Sequence, residues 1–206
     1  MVLRKFPRRS NIKGKDPMKK LILVTSPPAC GKTFISRQLA AKLRHIVYLD
    51  KDTLIVLSKQ IFAVAGEEYN RSSEFFEKNI RDYEYKAILA LAMEALEYAD
   101  SVLINAPFTK EIRNKEFIGS LKAELAKKGA KLCAVWVETS PEVCRQRMIR
   151  RNSDRDSWKL SHWDEYIKTV NFNAPKEVGS DLIIFKNSTR EEFLSSMKQT
   201  LSILEK

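Results

Sequence analysis

Hydrophobic runs alternate with segments of helical periodicity along most of the chain. Five short apolar runs predict buried strands, which lie at residues 20–25, 46–50, 101–105, 131–137 and 181–185. Between these runs, apolar residues recur every three or four positions, as they do in amphipathic helices. The predicted helices cover residues 32–44, 54–65, 75–98, 111–128, 141–151, 162–171 and 190–204. Because strands and helices alternate, the pattern favours βαβ units, a parallel sheet and a single α/β domain.

The longest predicted helix, over residues 75–98, carries a stripe of apolar side chains at three- and four-residue spacing. The stripe consists of Ile80, Tyr83, Ala87, Leu91 and Ala95. Residues at this spacing share one face of a helix, so we expect the stripe to face the core.

The segment between the first strand and the first helix reads Ser26-Pro-Pro-Ala-Cys-Gly-Lys-Thr33. A strand, a loop ending in Gly-Lys-Thr and a helix form the phosphate-binding P-loop, or Walker A motif. Backbone N–H groups at the start of the helix have no partner within it and point towards a bound anion. Lys32 adds a positive charge for the terminal phosphates, and the Thr33 hydroxyl is a ligand for Mg²⁺. The predicted nucleotide-binding residues are Ser26, Pro27, Pro28, Ala29, Cys30, Gly31, Lys32, Thr33 and Phe34.

Two positions in this loop, Ser26 and Cys30, have alternative interpretations. Ser26 stands where the motif has its first glycine, and serine lacks the access of glycine to positive φ. A chance Gly-Lys-Thr is the alternative interpretation, but its place between a buried strand and an amphipathic helix favours a nucleotide site. Cys30 precedes a helix N-terminus, an environment that lowers the pKa of a thiol. This cysteine is either oxidisable or simply a small residue that fits the loop.

Composition and charge are those of a globular protein with one domain. Of the 206 residues, 44% are apolar and 31% charged, and no apolar run approaches the roughly 20 residues of a membrane span. The net charge is +11, of which +5 lies in residues 1–17. That segment either contacts nucleic acid or an acidic surface, or precedes a natural start at Met18. We expect a flexible basic extension at residues 1–17 and one P-loop domain at residues 18–206. The three cysteines have no metal or redox spacing, which favours the cytoplasm.

The P-loop, the acid after the second strand and the arginine-rich helix after the fourth together resemble the nucleoside-monophosphate-kinase-like branch of P-loop proteins. Within that branch the chain is similar to the small AAA_33-type ATP-binding kinases, which are related to gluconate kinase, chloramphenicol phosphotransferase, zeta toxin and polynucleotide kinase. The resemblance covers residues 18–200. It implies a three-layer α/β fold with a five-stranded parallel sheet in the order 2-3-1-4-5, helices on both faces and a small lid. It also implies ATP and Mg²⁺ as cofactors.

Polar residues at two predicted strand ends gain roles from this resemblance. In kinases of this branch, an acid after the second strand binds the acceptor or accepts its hydroxyl proton. Asp50 and Asp52 both lie there, and the family pattern favours Asp52, although an acid at this point also caps a following helix. Asn105 ends the third strand, where relatives have an aspartate near the water shell of Mg²⁺. Asparagine hydrogen-bonds a coordinated water without carrying charge, and it fits a structural turn equally well.

The helix after the fourth strand supplies a series of arginines. Arg147 and Arg151 are four residues apart and share one helix face, and Arg155 continues the line. Relatives have the same Arg-x-x-x-Arg before a lid, which implies that these side chains stabilise charge on the transferring phosphoryl group. The alternative is a solvated helix face. Asn187 follows the fifth strand, where relatives place the loop that contacts adenine.

These residues together favour an ATP- and Mg²⁺-dependent phosphotransferase acting on a hydroxyl of a small molecule. The expected catalytic residues are Lys32, Asp52, Arg147, Arg151 and Arg155. One alternative is a 5′-hydroxyl polynucleotide kinase, which the positive charge permits. Another is an ATP-binding switch or regulatory ATPase without kinase activity, which the unusual Ser26 and Asn105 suggest. A small-molecule acceptor is favoured over nucleic acid, and no membrane partner is expected.

Overall fold

The computed structural model describes residues 18–153 and 156–206. Within these residues five strands form one parallel sheet in the order β2-β3-β1-β4-β5, which confirms the expected order. The strands are β1 (Lys19–Thr25), β2 (Ile46–Asp50), β3 (Ser101–Asn105), β4 (Ala130–Glu138) and β5 (Leu182–Lys186). The predicted extension at residues 1–17 lies outside the described residues.

The α-helices of the described residues are α1 (Lys32–Lys42), α2 (Ile55–Ala65), α3 (Glu74–Asn79), α4 (Arg81–Ala95), α5 (Lys115–Lys127), α6 (Pro141–Arg151), α7 (Ser157–Ser161), α8 (Trp163–Thr169) and α9 (Arg190–Leu204). Short 3-10 segments cover Lys51–Leu54, Glu111–Arg113 and Lys176–Asp181. Among these helices, none combines the length and apolar character that crossing a membrane requires.

Helices cover both faces of the sheet, and alternation along β1 shows why. Leu21 and Leu23 point to the face that packs against α4 and α5. Ile22 and Val24 point to the opposite face, which packs against α1, α6 and α9. Successive side chains of a strand lie on opposite faces, so an unbroken apolar run suits a strand that is buried on both sides. The three layers follow directly from such runs.

The prediction of one long helix over residues 75–98 is wrong in two respects. The helix breaks at Ile80, whose φ and ψ of −125° and −47° separate α3 from α4. The expected core stripe is also wrong, because Tyr83 and Leu91 are 64% and 45% exposed. Ile80 packs into a separate small cluster with Phe62 and Phe76, so it does not define the inner face of α4. That inner face is formed by Tyr85, Ile88 and Ala92.

Two connections also differ from the prediction. The helix expected at residues 111–128 begins at Lys115, where the Asn114 side chain accepts hydrogen bonds from two backbone N–H groups of the first turn. The segment expected to be one helix over residues 162–171 contains α8, and the shorter helix α7 precedes it. Helices α7 and α8 occupy the place that the resemblance gives to the lid.

Candidate active site

The carboxyl ends of β1, β3 and β2 lie side by side, and this places three parts of the site together. Asn105 is in register with Val24 on one side and with Asp50 on the other. The P-loop follows β1, and the turn containing Asp52 follows β2. Ligands of open parallel sheets bind at this edge, so the sheet order positions Asn105 between the phosphate-binding loop and the acidic turn.

A buried polar network surrounds Asn105, which is 1% exposed. Its amide oxygen accepts hydrogen bonds from Lys32 Nζ at 2.6 Å and Ser36 Oγ at 3.3 Å. Its amide nitrogen donates to Asp50 Oδ2 at 2.9 Å and to Thr33 Oγ1 at 3.3 Å. One asparagine amide therefore orients the P-loop lysine, the P-loop threonine and an acid. A carboxylate lacks the donor that this arrangement uses.

The two acids after β2 have different environments. Asp50 is held by Asn105, by the Tyr48 hydroxyl at 2.9 Å and by the backbone N–H of Asp52 at 3.1 Å. Asp52, by contrast, lines the open cleft together with the P-loop. Asp50 is thus fixed within the protein, and Asp52 is available to a molecule in the cleft.

The ammonium group of Lys32 is held in a partly desolvated position. Burial lowers the pKa of Lys32 to about 8, because the charged form loses hydration. The negative charges of Asp52 and Asp50 oppose this shift, and the positive charge of Lys51 adds to it. A bound polyphosphate places negative charge beside Lys32 and so stabilises its charged form.

The backbone of the P-loop explains the tolerance for Ser26. Ala29 and Gly31 have positive φ values of 64° and 92°, whereas Ser26 does not have a positive φ. The loop thus needs left-handed residues at its other end. Ser26 is buried, and its hydroxyl donates to the Pro27 carbonyl at 2.8 Å.

One backbone carbonyl fixes the P-loop to the rest of the domain. The carbonyl oxygen of Cys30 accepts hydrogen bonds from Asn187 Nδ2 at 2.7 Å, Arg147 Nη1 at 3.0 Å and Thr139 Oγ1 at 3.1 Å. Asn187 directly follows β5, Arg147 lies on α6, and Thr139 directly follows β4. A Cβ atom on Gly31 would lie 2.6 Å from Asn187 Nδ2, so glycine permits this close contact.

Arg147 and Asn187 therefore fix the P-loop through the Cys30 carbonyl. Arg147 Nη2 donates to the Asn187 carbonyl at 2.7 Å, and the Asn187 backbone N–H donates to the Glu138 carbonyl at 2.8 Å. Both backbone polar groups of Asn187 are thus engaged inside the protein. Arg147 also lines the cleft, so its contact with phosphate stays a prediction, as does a contact between Asn187 and adenine.

Arg151 is engaged by an acid next to α7. Its guanidinium group donates to both carboxylate oxygens of Asp156, with Nη2–Oδ1 at 2.7 Å, and Lys159 Nζ lies 3.3 Å from the same carboxylate. Burial raises the pKa of Asp156, but Arg151 and Lys159 outweigh it and hold that pKa below its usual value. Arg151 and Lys159 also line the cleft. The predicted catalytic residue Arg155 lies outside the described residues.

The P-loop opens into a cleft of about 760 Å³. Residues Ser26–Ala29 and Gly31–Phe34 line it, together with Pro107 and Thr109. Basic side chains outnumber the one acid, Asp52, and they are Lys32, Arg147, Arg150, Arg151 and Lys159. A cleft of this size and charge fits a nucleoside polyphosphate and a small second molecule.

The oxygens near Asn105 fit a magnesium ion. Thr33 Oγ1 and Asp50 Oδ2 both lie within hydrogen-bond distance of the same amide nitrogen. No group of three or more His, Cys, Asp or Glu residues in the described part of the chain could hold a metal. Mg²⁺ in phosphate sites needs only one or two protein oxygens, because phosphates and water complete its shell. Asn105 Oδ1 accepts from Lys32, and Asp50 accepts from three donors within the protein, so Thr33, which lines the cleft, is the better ligand. The metal role of Asn105 stays a prediction.

Two buried cysteines meet beneath the P-loop. The sulfurs of Cys30 and Cys144 are 3.5 Å apart, and both side chains are fully buried. The expected low pKa of the Cys30 thiol is wrong, because its hydrogen bond with Cys144 and its burial raise that pKa above the usual range. Proximity to a helix N-terminus does not outweigh these two effects.

A second buried network, which the sequence analysis did not anticipate, supports the turn that carries Asp52. The Glu84 carboxylate on α4 accepts from Lys51 at 2.5 Å, from Ser58 at 2.5 Å and from both terminal nitrogens of Arg71 at 2.6 and 2.8 Å. Burial raises the pKa of Glu84, but these donors outweigh it and hold the pKa at about 2. Lys51 is adjacent to Asp52, so the network fixes the backbone from which Asp52 projects. Its members are distant in sequence and form no motif.

The sequence of residues 21–172 matches the family described as an AAA domain, AAA_33. The chain belongs to this family. Binding of a nucleotide at the P-loop is a property of the family, and the P-loop described above is the corresponding part of this chain. No curated protein sequence matches the chain.

Solved structures with the same fold include several kinases. A candidate kinase from Chloroflexus aurantiacus has a TM-score of 0.65 at 19% identity, over 91% of this chain and 97% of its own. A gluconokinase from Sinorhizobium meliloti has a TM-score of 0.54 at 11% identity, over 93% and 98%. A shikimate kinase from Bacteroides thetaiotaomicron has a TM-score of 0.50 at 17% identity, over 91% and 99%. At these identities the similarity concerns the fold alone, and that fold is the one of P-loop small-molecule kinases.

Proposed function

We propose that the protein transfers the γ-phosphoryl group of ATP, with Mg²⁺, to a hydroxyl group of a small molecule. The position of Asp52 carries this proposal. Its carboxylate lines the same cleft as Lys32 and the P-loop. The hydrogen bond from Asp52 to Asp50 uses the backbone N–H of Asp52, so the Asp52 carboxylate is available to a molecule in the cleft. Phosphoryl transfer needs a carboxylate near the incoming hydroxyl oxygen, and Asp52 supplies one.

The other residues of the site contact different parts of Mg²⁺-ATP. Lys32 and the N–H groups at the start of α1 bind the terminal phosphates. Thr33 would hold the Mg²⁺ ion together with phosphate and water oxygens, and the bound ion would neutralise charge on the phosphates. Arg151 and Lys159 supply positive charge on the side of the cleft formed by α6 and α7. Phosphoryl transfer depends on positioning and charge stabilisation, and these side chains provide both.

The transfer itself has a simple balance of atoms. The acceptor oxygen forms a bond to the γ-phosphorus while the bond from that phosphorus to the β,γ-bridging oxygen breaks. The bridging oxygen keeps the electron pair, and ADP leaves. Asp52 takes the proton of the acceptor hydroxyl as the new bond forms.

The cleft has room for a small acceptor beside ATP. A volume of about 760 Å³ holds ATP and leaves space for a molecule of the size of a sugar or a sugar acid. The fold neighbours include proteins named for gluconate and shikimate, which are molecules of this size.

We assign the protein to the cytoplasm as part of the same proposal.

The test is ATP consumption with Mg²⁺ against a panel of hydroxyl compounds. The panel contains nucleosides, sugars, sugar acids, aminoglycosides and other antibiotics, and oligonucleotides with a 5′-hydroxyl. Lys32→Ala is the control for the site, and Asp52→Asn tests the proton acceptor. We expect one acceptor to stimulate turnover, Lys32→Ala to abolish it and Asp52→Asn to lower kcat by two orders of magnitude or more, as for loss of a general base.

Other outcomes distinguish the alternatives. Stimulation by the oligonucleotides alone supports a polynucleotide kinase, and steep salt dependence of binding must then accompany it. Tight ATP binding with no stimulation by any acceptor supports a nucleotide-dependent switch. Full transfer by Asp52→Asn removes the proton-acceptor role of this residue.

A further inference from the structure

The contact between Cys30 and Cys144 joins two functional parts of the protein. Cys30 belongs to the P-loop, and Cys144 lies on α6, one turn before Arg147. Their sulfurs are 3.5 Å apart. The third cysteine, Cys133, is buried on β4 in the same core. Among the described residues its sulfur forms no hydrogen bond with another cysteine.

We propose that Cys30 and Cys144 form an intramolecular disulfide on exposure to a peroxide, and that this bond weakens ATP binding by the P-loop. The proposal rests on nucleotide binding and does not require phosphoryl transfer. Its failure is therefore distinguishable from a failure of the kinase proposal.

The two thiols are suited to different roles in this reaction. The hydrogen bond between the two thiols, together with the nearby positive charge of Arg147, holds the pKa of Cys144 below its usual value despite burial. The same hydrogen bond and burial raise the pKa of Cys30. Cys144 is therefore the thiol that ionises first, and Cys30 is the resolving thiol.

The chemistry balances with hydrogen peroxide as the oxidant. The Cys144 thiolate attacks one peroxide oxygen, so that an S–O bond forms, the O–O bond breaks and hydroxide leaves. The Cys30 sulfur then attacks the Cys144 sulfur, the S–S bond forms, and the S–O bond breaks with release of water. Two thiols and one peroxide give one disulfide and two water molecules.

The structure explains why this bond affects the P-loop. A disulfide has an S–S length of about 2.05 Å, so the two sulfurs must approach by about 1.5 Å. The Cys30 carbonyl is held by three donors, and its neighbours Ala29 and Gly31 both have left-handed backbone conformations. If the loop follows the sulfur, it disturbs these hydrogen bonds, which hold the backbone beside the N–H groups that bind phosphate.

Bound ATP should in turn protect the pair. If the disulfide weakens ATP binding, then ATP binding must disfavour the disulfide to the same extent, because coupling between two sites is reciprocal. Both thiols are fully buried, so peroxide reaches them only when the loop opens locally. Mg²⁺-ATP should therefore slow the oxidation.

The experiment treats the full reduced protein with hydrogen peroxide, with and without Mg²⁺-ATP. Mass spectrometry of the intact chain and its peptides identifies the linked cysteines, and a fluorescent ATP analogue measures affinity before oxidation, after it and after reduction with dithiothreitol. We expect loss of two hydrogens, a peptide linking Cys30 to Cys144, and ATP affinity lower by about tenfold, which corresponds to about 1.4 kcal/mol. Dithiothreitol should restore the affinity.

Matched variants separate the pair from general oxidation. Cys133→Ala removes the buried cysteine that has no sulfur contact, and it should respond as the natural chain does. Cys144→Ala should keep its ATP affinity under peroxide, and Cys144→Ser repeats the test if the alanine variant has a lowered melting temperature. Four outcomes overturn the proposal: no Cys30–Cys144 disulfide after peroxide treatment, a disulfide that involves Cys133, a Cys30–Cys144 disulfide with unchanged ATP affinity, or equal loss of affinity in the Cys144 variants.

Discussion

Asn105 accepts a hydrogen bond of 2.6 Å from the ammonium group of Lys32. The same amide donates to Asp50 and Thr33, so a neutral side chain stands at the point where the cation, the acid and the hydroxyl of the site meet. The resemblance described above implies an aspartate at this position. The asparagine is consistent with the structure, because a donor is needed on the side that faces Asp50.

Asn105→Asp is therefore expected to lower activity. The new carboxylate keeps the contact with Lys32, but it loses the donor to Asp50 and brings a second negative charge to within about 3 Å of Asp50 Oδ2. We expect acceptor-stimulated turnover to fall by at least about tenfold at pH 8, or about 1.4 kcal/mol. The loss should shrink at lower pH, where a proton shared by the two carboxyl groups restores a donor.

Ser36→Ala is the control for this substitution, because it removes the 3.3 Å contact to the same amide oxygen and the 2.9 Å hydrogen bond to the Lys32 carbonyl, but leaves the contact between Asn105 and Asp50 in place. It should change turnover by less than a factor of about three. If Asn105→Asp has natural or higher turnover at every pH, Asn105 merely replaces an acid and does not act as a donor to Asp50.

The pH dependence of ATP binding should report the buried state of Lys32. Burial lowers the pKa of Lys32 to about 8 in the free protein. Below that pH the ammonium is charged before ATP arrives, so affinity should be constant. Above it, the free protein must take up a proton to bind ATP, so the Kd should rise by roughly twentyfold between pH 7.5 and 9.5.

Calorimetry in buffers of different ionisation enthalpy measures this proton uptake directly. Lys32→Arg is the matched variant, since a guanidinium stays charged over the whole range. Its affinity should be lower but independent of pH. A Kd for the natural chain that does not change up to pH 9.5, without proton uptake, would contradict the low pKa.

The parts of the fold that the sequence predicted correctly depend on patterns within one segment. The strand Lys19–Thr25, the P-loop and the helix Lys32–Lys42 are adjacent in the chain, and each has a local signal. The order of the strands was implied by the resemblance and not by the periodicity. In the structure this order places Asn105 beside Asp50, because the carboxyl ends of parallel strands share an edge.

The parts that could not be predicted depend on contacts between distant segments. The hydrogen bonds from Arg147 and Asn187 to the Cys30 carbonyl span 117 and 157 residues. The Glu84 network also joins residues with no common motif. The buried face of α4 was predicted incorrectly because its periodicity permits either face, and packing of Tyr85 against the sheet decides between them.

Arg147 and Arg151 should have separable effects, although both lie on the same helix face. Arg147 holds the P-loop through the Cys30 and Asn187 carbonyls. Arg147→Ala should weaken ATP binding and lower the unfolding free energy together, by about 2 kcal/mol for the loss of charge-assisted hydrogen bonds inside the protein. Arg151→Ala should lower kcat, because it removes a positive charge that lines the cleft. It should change the Kd for ATP little, because Arg151 contacts Asp156 and not the loop.

Chemical denaturation, ATP titration and steady-state turnover of the two variants check this distinction. Asp156→Asn is the control for Arg151, since it releases the guanidinium group without removing it. If Arg147→Ala lowers kcat alone and leaves the stability and Kd unchanged, the arginine acts on the phosphoryl group and its bracing contacts contribute little.

The contact between Gly31 and Asn187 offers a test that separates steric conflict from backbone strain. A Cβ atom at position 31 would lie 2.6 Å from Asn187 Nδ2, and the φ of +92° is unfavourable for any residue with a Cβ. Gly31→Ala should therefore destabilise the protein by at least about 2 kcal/mol and abolish measurable ATP binding. Asn187→Ala alone should cost less, because it removes one hydrogen bond to the Cys30 carbonyl and leaves two.

The double variant Gly31→Ala with Asn187→Ala removes the conflict but keeps the strain. It should be more stable than the sum of the two single changes predicts, by about 1 kcal/mol in a double-mutant cycle of unfolding free energies. Its ATP affinity should stay low, since the left-handed backbone at position 31 sets the direction of the N–H groups at the start of α1. Additive effects in the cycle would mean that the loop relaxes away from Asn187, and that glycine is required at this position for its backbone conformation alone.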